Sequence, residues 1–272
     1  MVTLPSSAPE PADQSPHRAR DVAESFGADA IRYDRTRPAY PAAMIERILA
    51  DLPGKRVLDV GCGTGIEARQ FRDAGCAVLG IEPDARMAAF ARDTGIEVEI
   101  GTFEAWDPAN RTFDAVISGT AWHWVDPVAG AAQAARVLAP AGRFAAFWNV
   151  PQMPSEAQAA FAAVYREFLP ESPASLVADR PALELYQAIH DKAAAGIVAA
   201  QAFTAPEQWQ FDWQRTYSRD EWLDQIPTHG ALTVVAPDIL ASVVAGIGAA
   251  IDTMGGSFTI SYATTVITAT RA

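Results

Sequence analysis

Arg56-Val57-Leu58-Asp59-Val60-Gly61-Cys62-Gly63-Thr64-Gly65-Ile66 is the stretch that decides the fold. Its first five residues read as a short buried strand, three glycines end it, and Ile66 to Ala74, with Ile66 and Phe71 on one side, reads as a helix. Glycines at such a strand–turn–helix junction allow a tight turn and let a ligand reach main-chain atoms that side chains would block. The spacing is Gly-x-Gly-x-Gly. In the dinucleotide fingerprint G-x-G-x-x-G the last glycine would fall on Ile66, so a nicotinamide-dependent oxidoreductase is disfavoured.

Working outward, Ala77 to Ile81 reads as a second strand leading into Glu82-Pro83-Asp84, and Met87, Phe90 and Ala91 then repeat at helical spacing up to Gly95. Ile96, Val98 and Ile100 alternate as a third strand, and Phe113 to Ile117 form a fourth. An alanine-rich helix carries Val128, Val137 and Leu138, and Arg143 to Trp148 form a fifth strand after a stop at Pro140-Ala141-Gly142. Strands alternating with helices predict an α/β fold with a parallel sheet covered on both faces. Past Asn149 the pattern changes to long helices. Ser155 and Gln158 have the spacing of a capping box, opening a helix with Phe161, Val164, Tyr165 and Phe168 on one face. Trp209, Phe211 and Trp213 alternate as a sixth strand, Ser218 and Glu221 mark another helix start, and Phe258, Ile260 and Tyr262 alternate in a last strand. No internal repeat is evident.

The net charge of −12 is spread along the chain, and no cluster of Lys and Arg supplies a phosphate-neutralising surface, so no nucleic-acid partner is expected. No uncharged apolar run reaches the roughly 20 residues of a membrane helix, so no membrane partner is expected either. With only Cys62 and Cys76, and Cys62 inside the glycine turn, neither a disulfide framework nor a cysteine-rich zinc site is indicated, and no metal site is expected. That usage suits a reducing cytoplasm. The start of the chain is rich in Pro, Ser and Ala without the basic and apolar regions of a secretory signal, and reads as a disordered tail over 1–22.

Glu82 ends the second strand 21 residues after Gly61, where a carboxylate meets the two ribose hydroxyls of a nucleoside and repels a 2′-phosphate. The plainer alternative is a solvated acid beside glycines that serve loop packing.

Val57 to Gly65 resembles the first motif of the class I methyltransferases that use S-adenosylmethionine (SAM). The likeness continues through Gly80-Ile81-Glu82-Pro83-Asp84, Gly101-Thr102-Phe103-Glu104 and Asp114-Ala115-Val116-Ile117-Ser118, covering roughly 30 to 149. It implies SAM as cofactor and a Rossmann-like, seven-stranded, mostly parallel sheet with its last strand antiparallel. By the same resemblance Asp59, Gly61, Gly63 and Gly65 contact the methionine and ribose parts, Glu82 with Pro83 binds the ribose hydroxyls, Thr102 and Phe103 flank the adenine, and Ser118 belongs to the same set. Many relatives have Asp where Thr102 stands, so the adenine amino contact falls to Thr102 or Glu104. Tyr33-Asp34-Arg35-Thr36-Arg37-Pro38-Ala39-Tyr40-Pro41 and Ala121-Trp122-His123-Trp124-Val125-Asp126 are similar to segments of the trans-aconitate methyltransferase-like branch. That likeness has Tyr33 and Arg37 closing over the cofactor, the cation facing its carboxylate; helix-entry packing is the alternative. The chain then divides into the tail and one domain over 23–272, with a SAM-binding core at 23–149, a helical cap at 150–205, and C-terminal strands and helices at 206–272 that complete the sheet.

Methyl transfer from a sulfonium is an in-line displacement, which asks a protein mainly to align the acceptor and exclude water. Ligands of open α/β sheets collect at the C-terminal strand ends, which places the acceptor near Ser118-Gly119 and close to His123. For a hydroxyl acceptor His123 is the candidate acid or base, an effect on the order of 10²–10⁴ in rate. A carboxylate acceptor needs no base, and His123 then orients or donates; a packed cluster with Trp122 and Trp124 is the third possibility. His17, His190 and His229 receive no role. Tyr165, Phe168, Tyr186, Trp209 and Trp222 either line an apolar acceptor pocket or are plain core, core being the commoner use. The expectation is a monomeric or homodimeric enzyme that methylates a small molecule, preferably on oxygen, with nitrogen, carbon or sulfur as alternatives. A SAM-binding module without catalysis is the competing class.

Overall fold

The computed structural model describes residues 25–171, 175, 181–230 and 232–272. The tail read at 1–22 lies outside the described residues, as does His17. Seven strands form one sheet: β1 (Arg56–Val60), β2 (Ala77–Glu82), β3 (Glu97–Ile100), β4 (Phe113–Gly119), β5 (Leu138–Gln152), β6 (Glu207–Ser218) and β7 (Ser257–Thr270). Their order is β3-β2-β1-β4-β5-β7-β6. The first five run parallel, and β7 lies antiparallel between β5 and β6. This is the Rossmann-like, mostly parallel sheet with an antiparallel last strand that the motif implied.

Two-residue periodicity explains the layers. In β1 and β5, Leu58, Val60, Phe144, Ala146 and Trp148 face one side of the sheet, and Val57, Ala145 and Phe147 face the other. The first face packs on α5 (Pro127–Val137) and α7 (Ala182–Ala200), with Ala134, Val137, Ala193 and Ile197 in the shared core. The second is covered by α2 (Ala42–Leu49) and α3 (Ile66–Asp73), through Met44, Ile45, Ile48 and Phe71. Ala88 and Ala91 of α4 (Ala85–Asp93) pack near the other end with Val98 of β3. A third core lies beyond the strand ends, where α6 (Ser155–Phe168), α8 (Arg219–Gln225) and α9 (Pro237–Thr253) meet the near ends of β6 and β7 around Phe161, Trp222, Val243, Ile247 and Phe258. The span read as a helical cap is thus shared: α6 packs on α9 above the strand ends, whereas α7 lies along α5 as part of the sheet's helical layer.

Two local expectations are corrected. The Pro140-Ala141-Gly142 stretch does not separate a helix from a strand at Arg143. The helix ends at Val137, and β5 starts at Leu138 and passes through all three residues. The ladder with β4 jumps from Phe113↔Leu138 to Ala115↔Arg143. Ala141 sits at φ +61, so the extra residues are taken up as a bulge rather than a stop. Ser155 is the first residue of α6 rather than its cap. Pro154 holds the cap position without a side-chain hydrogen bond, so no capping box forms there. The second cap is as read: Ser218 and Glu221 form a reciprocal capping box at the start of α8.

Candidate functional site

The chain runs outward from β1 to β3 and then crosses to β4 on the other side, so the strand order reverses between β1 and β4. A crevice at the carboxyl ends of the strands follows from that reversal. It holds a cavity of about 570 Å³. Each strand end supplies part of its floor: Gly61 and Gly63 after β1, Glu82 and Pro83 at β2, Thr102 and Phe103 after β3, Thr120 and Ala121 after β4, and Asn149 in β5.

The glycine turn is built as its spacing requires. Gly61, Gly63 and Gly65 have φ of +70, +53 and +83, a region that side chains strain to adopt. A Cβ at Gly63 would meet nothing within 4 Å, so this turn of main chain faces open cavity. One at Gly61 would stand 2.6 Å from the Ala121 Cβ, so β1 and the loop after β4 touch only because residue 61 is glycine. Glu82 braces the turn: Oε2 accepts from Gly63 N–H at 2.9 Å and Oε1 accepts from Asp84 N–H at 2.9 Å.

Beneath the turn lies a group of buried acids. Asp59 is 0 % exposed, and among the described residues neither of its carboxylate oxygens has a hydrogen-bond partner. Burial, and then the charges of Glu67 and Glu82, push its carboxyl well above the ordinary range. Glu67, in the first turn of α3 and on the cavity wall, is raised to about 8 by burial. Such acids have a reason to exist beside a cavity that receives a cation, because a bound positive charge offsets their desolvation. An orphaned Asp59, an open Gly63 and Glu82 at a strand end fit the methionine ammonium, sulfonium and ribose of SAM.

Of the residues singled out from sequence, Tyr33, Arg37, Gly61, Gly63, Glu82, Pro83, Thr102, Phe103, Glu104 and His123 line this one cavity. Asp59, Gly65 and Ser118 do not. Asp59 lies behind the turn, Gly65 is the left-handed cap of α3 packed near Ala91 and Ile96, and the buried Ser118 Oγ donates to Val60 O at 2.8 Å, tying β4 to β1. The two candidates for adenine recognition differ. Glu104 Oε1 already accepts from Asp126 N–H at 2.9 Å, whereas Thr102 makes no side-chain cap to the turn that follows it.

The roof comes from segments on either side of the floor in the sequence. Tyr33 and Arg37 lie in and just after α1 (Ala30–Thr36), where the Arg37 guanidinium sits 4.9 Å from the Tyr33 ring centroid and donates to Thr228 O. Arg37 Nε is buried without a partner among the described residues. Tyr165, Tyr186, Trp222, His229 and Tyr262 line the same cavity. Burial, and then the Arg37 charge, lower His229 to about 3, and its Nε2 lies 3.1 Å from the Gln225 amide. Burial raises Tyr165 to about 12. Between roof and floor stands half-buried His123, which burial lowers to about 4. Its Nδ1 accepts from Trp148 Nε1 at 3.3 Å, and its ring centroid lies 4.8 Å from that of Trp124. Trp122 is core, 4.6 Å from the Phe144 ring.

Sequence reasoning passed over Tyr40, Glu67, Asn149, Gln225, His229 and Tyr262, all of which line the cavity. Only Glu67 carried a usable signal, an acid in the first turn of a helix that opens on the glycine loop. Of the five aromatics left between pocket and core, Tyr165, Tyr186 and Trp222 line the cavity. Trp209 packs under Arg47 on the far face, and Phe168 belongs to the core above the strands. His190 is buried away from the cavity, with Nε2 2.9 Å from Thr265 Oγ1.

Comparison with known proteins agrees with this geometry. A family profile described as a methyltransferase domain matches residues 58–146. The chain is 36% identical over 135 residues to an uncharacterized methyltransferase of Mycobacterium bovis, a match covering 48% of this chain and 54% of that one, so it spans about half the length of this relative. It is 30% identical over 165 residues to a demethylmenaquinone methyltransferase of Mycobacterium sp. (strain KMS), over 58% of this chain and 69% of the relative. A protein of Anaeromyxobacter dehalogenans, whose structure was solved under the description of a type II methyltransferase, shares the fold with a TM-score of 0.60. That match is 22% identical and covers 85% of this chain and 97% of the other. Glycine turn, strand-end acid, sheet order and relatives converge: the chain belongs to the class I SAM-dependent methyltransferases.

Proposed function

We propose that the protein methylates a small molecule on oxygen, a carboxylate or a hydroxyl, with SAM as the methyl donor. The observation that carries this reading is the continuity of one cavity of about 570 Å³, with the glycine turn and Glu82 on its floor and Arg37, Tyr165, Tyr186, Trp222 and Tyr262 on its roof. A cavity of that size takes small molecules, and two chemically different walls suit two ligands. When bound there, SAM supplies an activated methyl group.

The residues of the chain then bind, orient and exclude water. Gly61 and Gly63 leave main chain open to the ligand, Glu82 stands at the end of β2 for the ribose hydroxyls, and Glu67 on the cavity wall offers negative charge to the cationic part. Thr102 and Phe103 flank the base. The aromatic roof keeps water from the reacting atoms, where alignment lowers most of the barrier. Arg37 presents a cation with an unpartnered Nε, which favours a ligand bearing a carboxylate. Free Cys62 and Cys76, both buried, agree with a reducing compartment such as the cytoplasm.

The test is incubation with SAM carrying a labelled methyl group and a panel of carboxylic acids, phenols, alcohols, amines and thiols, with products read by mass and alkali lability. An alkali-labile ester or a stable ether supports the reading. Label on nitrogen, carbon or sulfur overturns the choice of oxygen, and tight SAM binding with no turnover on any acceptor overturns the enzyme.

A further inference from the structure

The indole nitrogen of Trp148 finds its acceptor in Nδ1 of His123, 3.3 Å away. An indole N–H can only donate, so Nδ1 must present its lone pair, and a neutral imidazole held in this way carries its proton on Nε2. The donor is itself fixed. Trp148 is 0 % exposed, pairs with Thr265 in the β5–β7 ladder, and has its ring 5.3 Å from that of His190. His123 has Trp124 as its other aromatic neighbour and lines the cavity between the strand ends and the roof. Burial is the sole cause that lowers its pKa, to about 4, and no charged side chain contributes, so the ring is neutral at neutral pH.

We propose that Trp148 is a positioning residue that holds His123 in the tautomer protonated on Nε2, so that the imidazole meets the methyl acceptor as a hydrogen-bond donor and not as a base. The proposal rests on the methyltransferase reading above. Nε2–H has no lone pair with which to take a hydroxyl proton. The oxygen it serves therefore arrives already ionised, as a carboxylate or an acidic phenol. That oxygen forms its bond to the methyl carbon as the carbon–sulfur bond breaks, the electron pair goes to sulfur, and no proton has to move. The donated hydrogen bond fixes which lone pair faces the methyl group.

Two measurements test this on the full-length protein. The first is ¹⁵N NMR of the His123 ring, in wild type and in Trp148→Phe, which keeps an aromatic ring and removes the N–H. The expected wild-type spectrum at neutral pH shows an unprotonated Nδ1 and a protonated Nε2. In the variant the two tautomers mix. A protonated Nδ1 in wild type overturns the proposal, and this arm needs neither turnover nor a folded variant. The second is a double-mutant cycle with His123→Gln, whose amide can donate from near the Nε2 position. Trp148→Phe should lower kcat on an ionised acceptor about tenfold in the His123 background and leave it unchanged in the Gln background. An equal loss in both backgrounds means that Trp148 serves packing alone and overturns the proposal. Failure of the methyltransferase reading shows separately, as wild-type protein without turnover.

Discussion

Glu67 and Gly119 meet without room for a methyl group between them: a Cβ built at residue 119 would stand 2.5 Å from Glu67 Oε1 and 2.8 Å from the Tyr40 hydroxyl. The end of β4 is thereby pressed against the first turn of α3, and Tyr40, whose Oη is 2.9 Å from Thr120 Oγ1, closes the same corner. Gly119→Ala should displace the Glu67 carboxyl and cost about 1–3 kcal/mol of stability, the usual effect of overpacking. Denaturant unfolding measures it. A SAM titration on the same variant should show weakened binding, because Glu67 lines the cavity.

The buried acids set a pH dependence. Below about 4.5 the Glu67 carboxyl is protonated in both folded and unfolded chains and is neutral in its effect on stability. Between about 4.5 and about 8 the unfolded carboxyl ionises while burial keeps the folded one protonated, so the folded state loses stability as pH rises through this window. Asp59 acts in the same direction. The Tm of the ligand-free protein should therefore fall from pH 5 to pH 8, and Glu67→Gln should flatten the fall and raise Tm at pH 8. Superimposable pH–Tm curves for the two proteins would contradict this.

Glu82→Ala removes two acceptors at once, those of Gly63 N–H and Asp84 N–H. The glycine turn loses its brace and the ribose its partner. Calorimetric titration should show SAM bound more weakly by about 1–3 kcal/mol, with the demethylated product affected alike. NAD should bind neither protein.

A clasp joins α1 to α8. Arg35 on α1 makes a bidentate pair with Asp224 on α8, with Nε–Oδ2 at 2.7 Å and Nη2–Oδ1 at 2.8 Å, and Arg32 Nε reaches the same carboxylate at 3.2 Å. Such exposed pairs add little to global stability. Asp224→Asn should leave Tm nearly unchanged and speed SAM release in stopped-flow displacement, since α1 and α8 both carry roof residues. A large drop in Tm with unchanged release would assign the pair a purely structural part.

Most of the sheet was legible because its signals are local. β1, β2 and their turns are apolar runs bounded by glycines, and Gly61, Gly63 and Glu82 fall where that spacing puts them. Pro140 to Gly142 misled because a turn-like tripeptide can be absorbed as a bulge when both its neighbours pair. Ser155 misled because Pro154, one residue earlier, already fits the start of a helix. His229, Gln225 and Tyr262 were invisible for another reason. They reach the cavity from α8, the turn after it and the start of β7, and only the insertion of β7 between β5 and β6 brings those elements over the strand ends. No window of sequence contains that fact.

The insertion of β7 also draws the two walls of the cavity from different stretches of the chain. Apart from Asn149, the floor comes from residues near 60 to 125, whereas the roof comes from Phe26 to Tyr40 and from Pro151 to Tyr262. The family profile spans 58–146 and so coincides with the floor alone. On the proposed reading, substitutions in the roof should retune which acceptor is admitted while the glycine turn and Glu82 stay the same. Exchanging the roof segments of this protein for those of a relative is the natural way to re-address its methyl group.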